Sequence, residues 1–304
     1  MKEHLSALTD KSSDIKTSTL LELSGLADKE FDGFVVAWRE IDSETKVEIL
    51  TRLTELAEDN VQLDFSLICR LSLSDEKPAV RKAALDGLWE IQDRAFIMPI
   101  VEILLNDIES DVKASAAICL SSFAQLSQNK KLIDRDTKKV FHALINTINA
   151  NKTEIDVTRR SLEALGYFSG TIVDETLSTF HKDKNPLLKQ SAIYAMGRNA
   201  QLKWLAIIME DFKNENPAIR FEALNAAGYL GGESIVLNII PFTNDEDTQV
   251  QVAALTALGY IGGELAKREI LLWTEDTDEN IRDAAMNALS NIDFDQDPLG
   301  LTLR

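Results

Sequence analysis

One spacing dominates this sequence. The segment Ile219-Arg220-Phe221-Glu222-Ala223-Leu224-Asn225-Ala226-Ala227-Gly228 is answered 31 residues later by the stretch from Val250 to Gly259. It is answered 31 residues later again by the stretch from Ile281 to Ser290. Reading backwards, the same pattern begins at Leu188 and at Val157, so five consecutive anchors share one period. A fixed period near thirty residues is the signature of a repeat array and takes precedence over a length-based domain count. Looser copies begin at Val112 and Val80, and weaker ones at Thr45 and Ile15.

Within each unit the apolar positions are the anchor and the residues four, five and eight further on, one stripe of a 3.6-residue helix. Pro78, Pro186 and Pro217 stand two residues before their anchors, where a fixed φ and a missing N–H suit the first helical position. Asn185, Asn216, Asp247 and Asp278, one residue earlier, are good N-caps. Gly166, Gly197, Gly228 and Gly259 are expected to end these helices. A second apolar run follows, such as Ile235 to Phe242 or Leu265 to Trp273, giving a helix pair of about thirty residues per unit. The interval from Val112 to Val157 is 45 residues, an insertion of 14, and its polar run Ser127 to Arg135 reads as a longer loop. Neither helix of a pair can bury its stripe alone. The expectation is therefore an all-α, right-handed α-solenoid of about eight or nine helix pairs. Residues 1–74 would be divergent capping units, 75–293 the repeat solenoid with an insertion near 126–150, and 294–304 a short tail.

Paired positions six residues apart, Asp75/Arg81, Asp107/Lys113, Asp183/Lys189 and Asp276/Arg282, resemble HEAT repeats. The endings Ala226 to Glu233 and Ala257 to Glu264, with their Gly-Tyr and Gly-Gly-Glu elements, look like the bacterial HEAT-like repeats of the phycobilisome-lyase type. The resemblance implies that the acidic and basic columns, Arg220 included, form a ladder between adjacent units. Thr158 and Gln251 would break the basic column, and Lys152 and Asn214 the acidic one. It also implies that the second helix of each pair lines the concave face. It leaves function open, because such repeats serve many unrelated scaffolds.

On that helix, positions two or three, six and ten after the anchor point away from the buried stripe. They bring together Arg159, Arg160, Tyr167, Tyr194, Arg198, Phe221, Asn225, Tyr229 and Tyr260, with all four tyrosines of the protein among them. Tyrosine and arginine bury large area while still forming hydrogen bonds, which suits a binding face. The competing reading packs each ring on the neighbouring unit with its hydroxyl in water. Charge supports a face of this kind. The net charge is −18, but residues 126–205 carry 13 basic against 8 acidic side chains, whereas residues 1–125 net −11 and residues 206–304 net −12. A basic waist between acidic arms suits an acidic protein segment or a phosphorylated ligand, against the plainer reading of compositional drift on solvated helix faces, and disfavours extended duplex DNA, whose phosphates would meet both arms.

Catalytic chemistry finds little support. His4, His142 and His181 are followed by Leu, Ala and Lys, so the His-Glu pairs of iron-binding HEAT-type hydroxylases are missing. No metal site or cofactor is expected. Acidic turns such as Asn244 to Asp247 lack calcium-loop spacing, and the Gly231-Gly232 and Gly262-Gly263 pairs lack the lysine of a phosphate loop. Cys69 and Cys119 sit in apolar helical patterns and read as buried thiols of a reducing, cytoplasmic setting. Trp38, Trp89, Trp204 and Trp273 read as packing between units. No stretch approaches the ~20 apolar residues of a membrane span, and the N-terminus lacks an apolar signal core. The expectation is a monomeric, non-catalytic scaffold that binds a protein or peptide on its concave face. A chromophore lyase or chaperone holding a tetrapyrrole is the alternative that the resemblance implies, with nucleic-acid binding more remote.

Overall fold

A computed structural model describes residues 8, 15–150 and 154–296. Among them every regular element is helical. The chain divides into two compact units, residues 1–164 and 165–304.

The N-terminal unit contains α1 (Thr17–Leu21), α2 (Asp28–Glu40), α3 (Ser43–Asp59), α4 (Ser66–Ser72), α5 (Pro78–Asp86), α6 (Ile97–Asn106), α7 (Ser110–Gln128) and α8 (Asp134–Ala150). Helix α9 (Ile155–Leu165) stands at its end. Second helices pack on second helices, α3 on α5 and α5 on α7, with α4 and α6 laid against them. Ile49, Leu50, Val80, Leu85, Leu120 and Phe123 form the buried interior.

The fourteen inserted residues do not make the long loop expected over Ser127 to Arg135. Instead α7 extends to Gln128, a short turn passes through Lys130 at φ 58°, and α8 begins at Asp134. Asp136 holds α8 in place. Its buried carboxylate accepts from Arg94 Nε at 2.7 Å, with Arg135 at 3.3 Å and Lys139 at 3.8 Å. The polar run does hold the turn, at residues 129–133, but the rest of the insertion is helix: α8 is strongly amphipathic, and its apolar face buries Val140, Leu144 and Ile148.

The C-terminal unit contains α10 (Thr171–His181), α11 (Pro186–Arg198), α12 (Leu205–Glu210), α13 (Pro217–Leu230), α14 (Val236–Ile239), α15 (Thr248–Ile261), α16 (Glu264–Leu271) and α17 (Glu279–Gln296). Two of the first helices, α12 and α14, are short and run into the 3-10 turns Asp211–Lys213 and Ile240–Asn244. Pro241, which has no N–H to give, stands in one of them. The second helices start as the sequence suggests. Asn185, Asn216, Asp247 and Asp278 accept from the backbone N–H two residues on at 2.8–3.0 Å, and prolines open α5, α11 and α13.

Their glycines do something other than end them. Gly197, Gly228 and Gly259 lie inside α11, α13 and α15. A Cβ on each would stand 2.9, 2.8 and 2.7 Å from the Cα of Ala226, Ala257 and Ala288 in the next unit. Gly166 does follow the end of α9, as expected, and makes the same close approach, its Cβ meeting the Ala195 Cα at 2.7 Å. These glycines are seams: without a side chain, consecutive second helices approach to backbone contact, whereas the first helices are held apart by side chains such as Phe212 and Phe242. The row of second helices is therefore the closely spaced side of this unit.

Trp38 and Trp204 are buried, but Trp89 is 46% exposed at the surface of the N-terminal unit rather than packed between units. Of the proposed tail, residues 294–296 continue α17, and 297–304 lie outside the described residues.

Candidate functional site

Because the second helices repeat every 31 residues at a glycine seam, a residue at one helical position stands beside its counterpart on the next helix. Tyrosines at the sixth and tenth positions thus form a continuous strip along the C-terminal unit. Tyr194 stands next to the Tyr167 phenol. The Arg198 guanidinium lies over the Tyr194 ring, 5.0 Å from its centroid, and over the Tyr229 ring at 4.4 Å. It also donates to the Tyr229 hydroxyl at 3.4 Å. Tyr229 and Tyr260 follow with ring centroids 5.0 Å apart. Tyr229 is 45% and Tyr260 47% exposed, while Tyr167, Tyr194 and Arg198 are half-buried.

The electrostatics follow the geometry. Burial, with Tyr194 adding to it, pushes the Tyr167 phenol up to about 12. The hydrogen bond with Tyr229 raises Tyr260, with partial burial reinforcing it. Burial works against the charge of Arg198, but the oxygens of Tyr194, Tyr229 and Tyr167 outweigh it and hold the guanidinium more firmly protonated. The strip therefore offers aromatic faces, neutral hydroxyl groups and one fixed cation.

The other candidate residues have other surroundings. Arg159 and Arg160 are each paired within their own helix. Arg159 donates to Asp156 at 3.2 Å and Arg160 to Glu163 at 2.8 Å, each on its own helix. Phe221 lines a separate open cavity of about 300 Å³ with Gln190, Pro217 and Gln249. Asn225 is half-buried on α13.

The charged columns give a ladder with unforeseen rungs. Arg81 grips Asp107 of the next unit through Nε at 2.7 Å and a terminal nitrogen at 2.9 Å, while its other nitrogen donates to the Asp75 carbonyl at 2.8 Å. Arg220 repeats this on Asp245 at 2.9 and 2.7 Å and on the Asn214 carbonyl at 2.9 Å. Arg282 donates to the Asp276 carbonyl at 3.0 Å. Each column acid also shapes its turn: Asp75, Asp107, Asp183 and Asp276 accept from the backbone N–H two residues on.

At Asn214 the expected break is bridged, because Lys189 reaches Asp211 at 2.6 Å instead. His181 contacts the same carboxylate at 2.6 Å. Burial opposes the Asp211 charge, but His181 and Lys189 together hold its carboxyl below the usual carboxylate range. Lys113 pairs with Glu154 at 3.4 Å, whereas Lys152 lies outside the described residues. The ladder also starts earlier than expected, with Lys46 on Asp75 at 2.8 Å. Sequence reasoning passed over Asp211 and Glu154 because they lie off the column positions 214 and 152, by three residues before and two after. Lys46 had the right position, one residue after the weak anchor Thr45, but no strong pattern around it.

Cys69 and Cys119 are buried, and burial pushes the Cys69 thiol up to about 12 and raises Cys119 as well. Such thiols are poor nucleophiles. Among the described residues no group of three or more His, Cys, Asp or Glu side chains is placed to hold a metal ion, and no helix is long and apolar enough to cross a membrane.

No protein-family model matches this chain, and no curated protein matches it. Solved structures do. A chain of the complex in which Kap95p binding switches the loops of RanGDP superposes with a TM-score of 0.54 at 13% identity. That match covers 96% of this chain and 45% of the other, so this chain spans about half of that one's length. The Escherichia coli protein YibA gives a TM-score of 0.48 at 16% identity, covering 92% and 98% of the two chains. Human deoxyhypusine hydroxylase gives 0.37 at 13% identity, covering 96% of each. By architecture, the chain has a HEAT-like helical-repeat fold.

Proposed function

We propose that this chain is a non-catalytic scaffold that binds a protein or peptide along the tyrosine strip of its C-terminal unit. The observation that carries the reading is the Arg198 guanidinium between the Tyr194 and Tyr229 rings, continued by the exposed Tyr229–Tyr260 pair. Stacking holds these side chains in place before any partner arrives, which lowers the entropy cost of ordering them on binding. Half-exposed tyrosines around a fixed arginine match the composition of binding hot spots. The likeness to Kap95p, which binds RanGDP, supports a protein as the partner class. Arg198 favours a partner that places a carboxylate or a backbone carbonyl over it. The basic waist is not needed for this reading, since Arg159 and Arg160 are engaged on their own helix.

The test is affinity capture from a lysate, comparing the wild-type chain with an Arg198→Ala/Tyr229→Ala/Tyr260→Ala variant that keeps its helical circular dichroism. A partner retained by the first and lost by the second is expected. Once that partner is purified, Tyr229→Ala alone should weaken binding by about 2 kcal/mol, roughly thirtyfold, in calorimetry. Undiminished binding by the triple variant overturns the reading.

A further inference from the structure

The N-terminal unit carries a second surface of different chemistry. A groove of about 490 Å³ runs between the end of α3, the turn Asn60–Phe65 and the segment that follows α5. Its floor is apolar, with Leu53, Phe65 and Leu88 buried. At its base Gly87 lets the elements meet closely, since a Cβ there would stand 2.9 Å from Thr54 Oγ1 and 3.1 Å from Cys69 Sγ. Two apolar side chains are spent on water at its rim, Val61 at 93% exposure and Trp89 at 46%. Large apolar groups at the lip of an apolar cleft are what a binding surface shows when its ligand is absent.

The rim is also charged in one sense only. Glu58, Asp64, Glu90 and Asp93 line the groove and are exposed, and no lysine, arginine or histidine lines it. Among the described residues none of the four is in an ion pair. Asp64 and Asp93 accept from the backbone N–H of Ser66 and Ala95, each at 2.9 Å. Arg94, the cation next to Asp93 in sequence, is engaged with Asp136.

We propose that this groove docks a partner segment whose apolar side chains are flanked by lysine or arginine. The apolar floor takes the side chains, and the uncompensated carboxylates select basic flanks and repel acidic ones. A second copy of this chain is disfavoured as occupant, because it carries a net charge of −18. The surface is distinct from the tyrosine strip and does not depend on it.

The probe is a fluorescein-labelled decapeptide amide, Arg-Arg-Leu-Ala-Leu-Leu-Ala-Leu-Arg-Arg, titrated with the full chain and read by anisotropy and by tryptophan emission from the Trp89 rim. Binding is expected, weakened at least about tenfold when the arginines become glutamates or the leucines become serines. It should weaken similarly in a Glu58→Lys/Glu90→Lys chain with unaltered circular dichroism, and between about 50 and 300 mM salt. A Tyr229→Ala/Tyr260→Ala chain should bind the probe as wild type does, which separates this surface from the strip. No binding at about 1 mM chain, ten times the ~100 μM of a weak peptide site, overturns the proposal. So does equal binding of the glutamate peptide or by the Glu58→Lys/Glu90→Lys chain. Self-association in sedimentation that the same double substitution abolishes would assign the groove to a second copy and equally overturn it.

Discussion

A single missing methyl group sets the spacing of the second helices. Alanine is the better helix former by about 1 kcal/mol, so on propensity alone Gly259→Ala would stabilise α15. The seam reverses the sign, because the new Cβ would meet both Cα and Cβ of Ala288 at 2.7 Å. The expected outcome is a loss of about 2 kcal/mol in urea unfolding, whereas Gly232→Ala, which meets nothing within 4 Å, stays near wild type. The period marked these glycines as special, but sequence alone suggested helix ends. A glycine that ends a helix and one that admits a neighbouring helix leave the same trace in a single chain. The Ala226, Ala257 and Ala288 column held the missing information, since small residues recur on both sides of each seam. A second prediction concerns titration. Tyr167 is neutral in the folded chain up to about 12, above the ~10 of an unfolded tyrosine. Its contribution is therefore present below pH ~10 and is lost as the pH rises toward about 12. Unfolding at pH 9 and 11 should show a smaller drop for Tyr167→Phe than for wild type.

Among the elements, the charged columns were legible as spacing and illegible as partners. Arg81 and Arg220 each bind backward to their own turn and forward to the next unit's aspartate, a task that needs a fork of donors. Lysine has a single nitrogen at its tip, so Arg220→Lys keeps the charge yet loses one direction. It should cost about 1–2 kcal/mol in urea unfolding. Asp211→Asn should cost about 2 kcal/mol at pH 7, since Lys189 and His181 converge on that carboxylate. Because the folded pKa is depressed, this contribution is present above the unfolded value near 4 and is lost as pH falls through the folded one. The difference between variant and wild type should thus shrink between pH 5 and 2. The inserted segment was legible only in part: its polar run marks the turn at residues 129–133 but not the helix α8 that follows. Its apolar residues Val140, Leu144 and Ile148 recur at helical spacing, and Asp136 meets Arg94 across 42 residues, a pairing no local pattern reveals.

For the whole molecule, the repeat fixes the kind of fold, while the surfaces that do work depend on what neighbours bring together. The tyrosine rows were visible as positions. That Arg198 would stack into them, and that Arg159 and Arg160 would be taken up by Asp156 and Glu163, was not. Net charge has its own consequence at this scale. With −18 carried by acidic arms, self-repulsion opposes compaction, and the thermal midpoint should rise as salt is added up to a few tenths molar. The glycine seam, finally, makes length negotiable. Gly197 meets Ala226 just as Gly228 meets Ala257. Excising residues 198–228, one whole period, would bring the same two residue types together again. A cut one residue longer or shorter would rotate every later side chain by about 100° around its helix axis and set the wrong face against the join. In genetic terms the array can gain or lose members by unequal exchange while each new junction arrives already fitted.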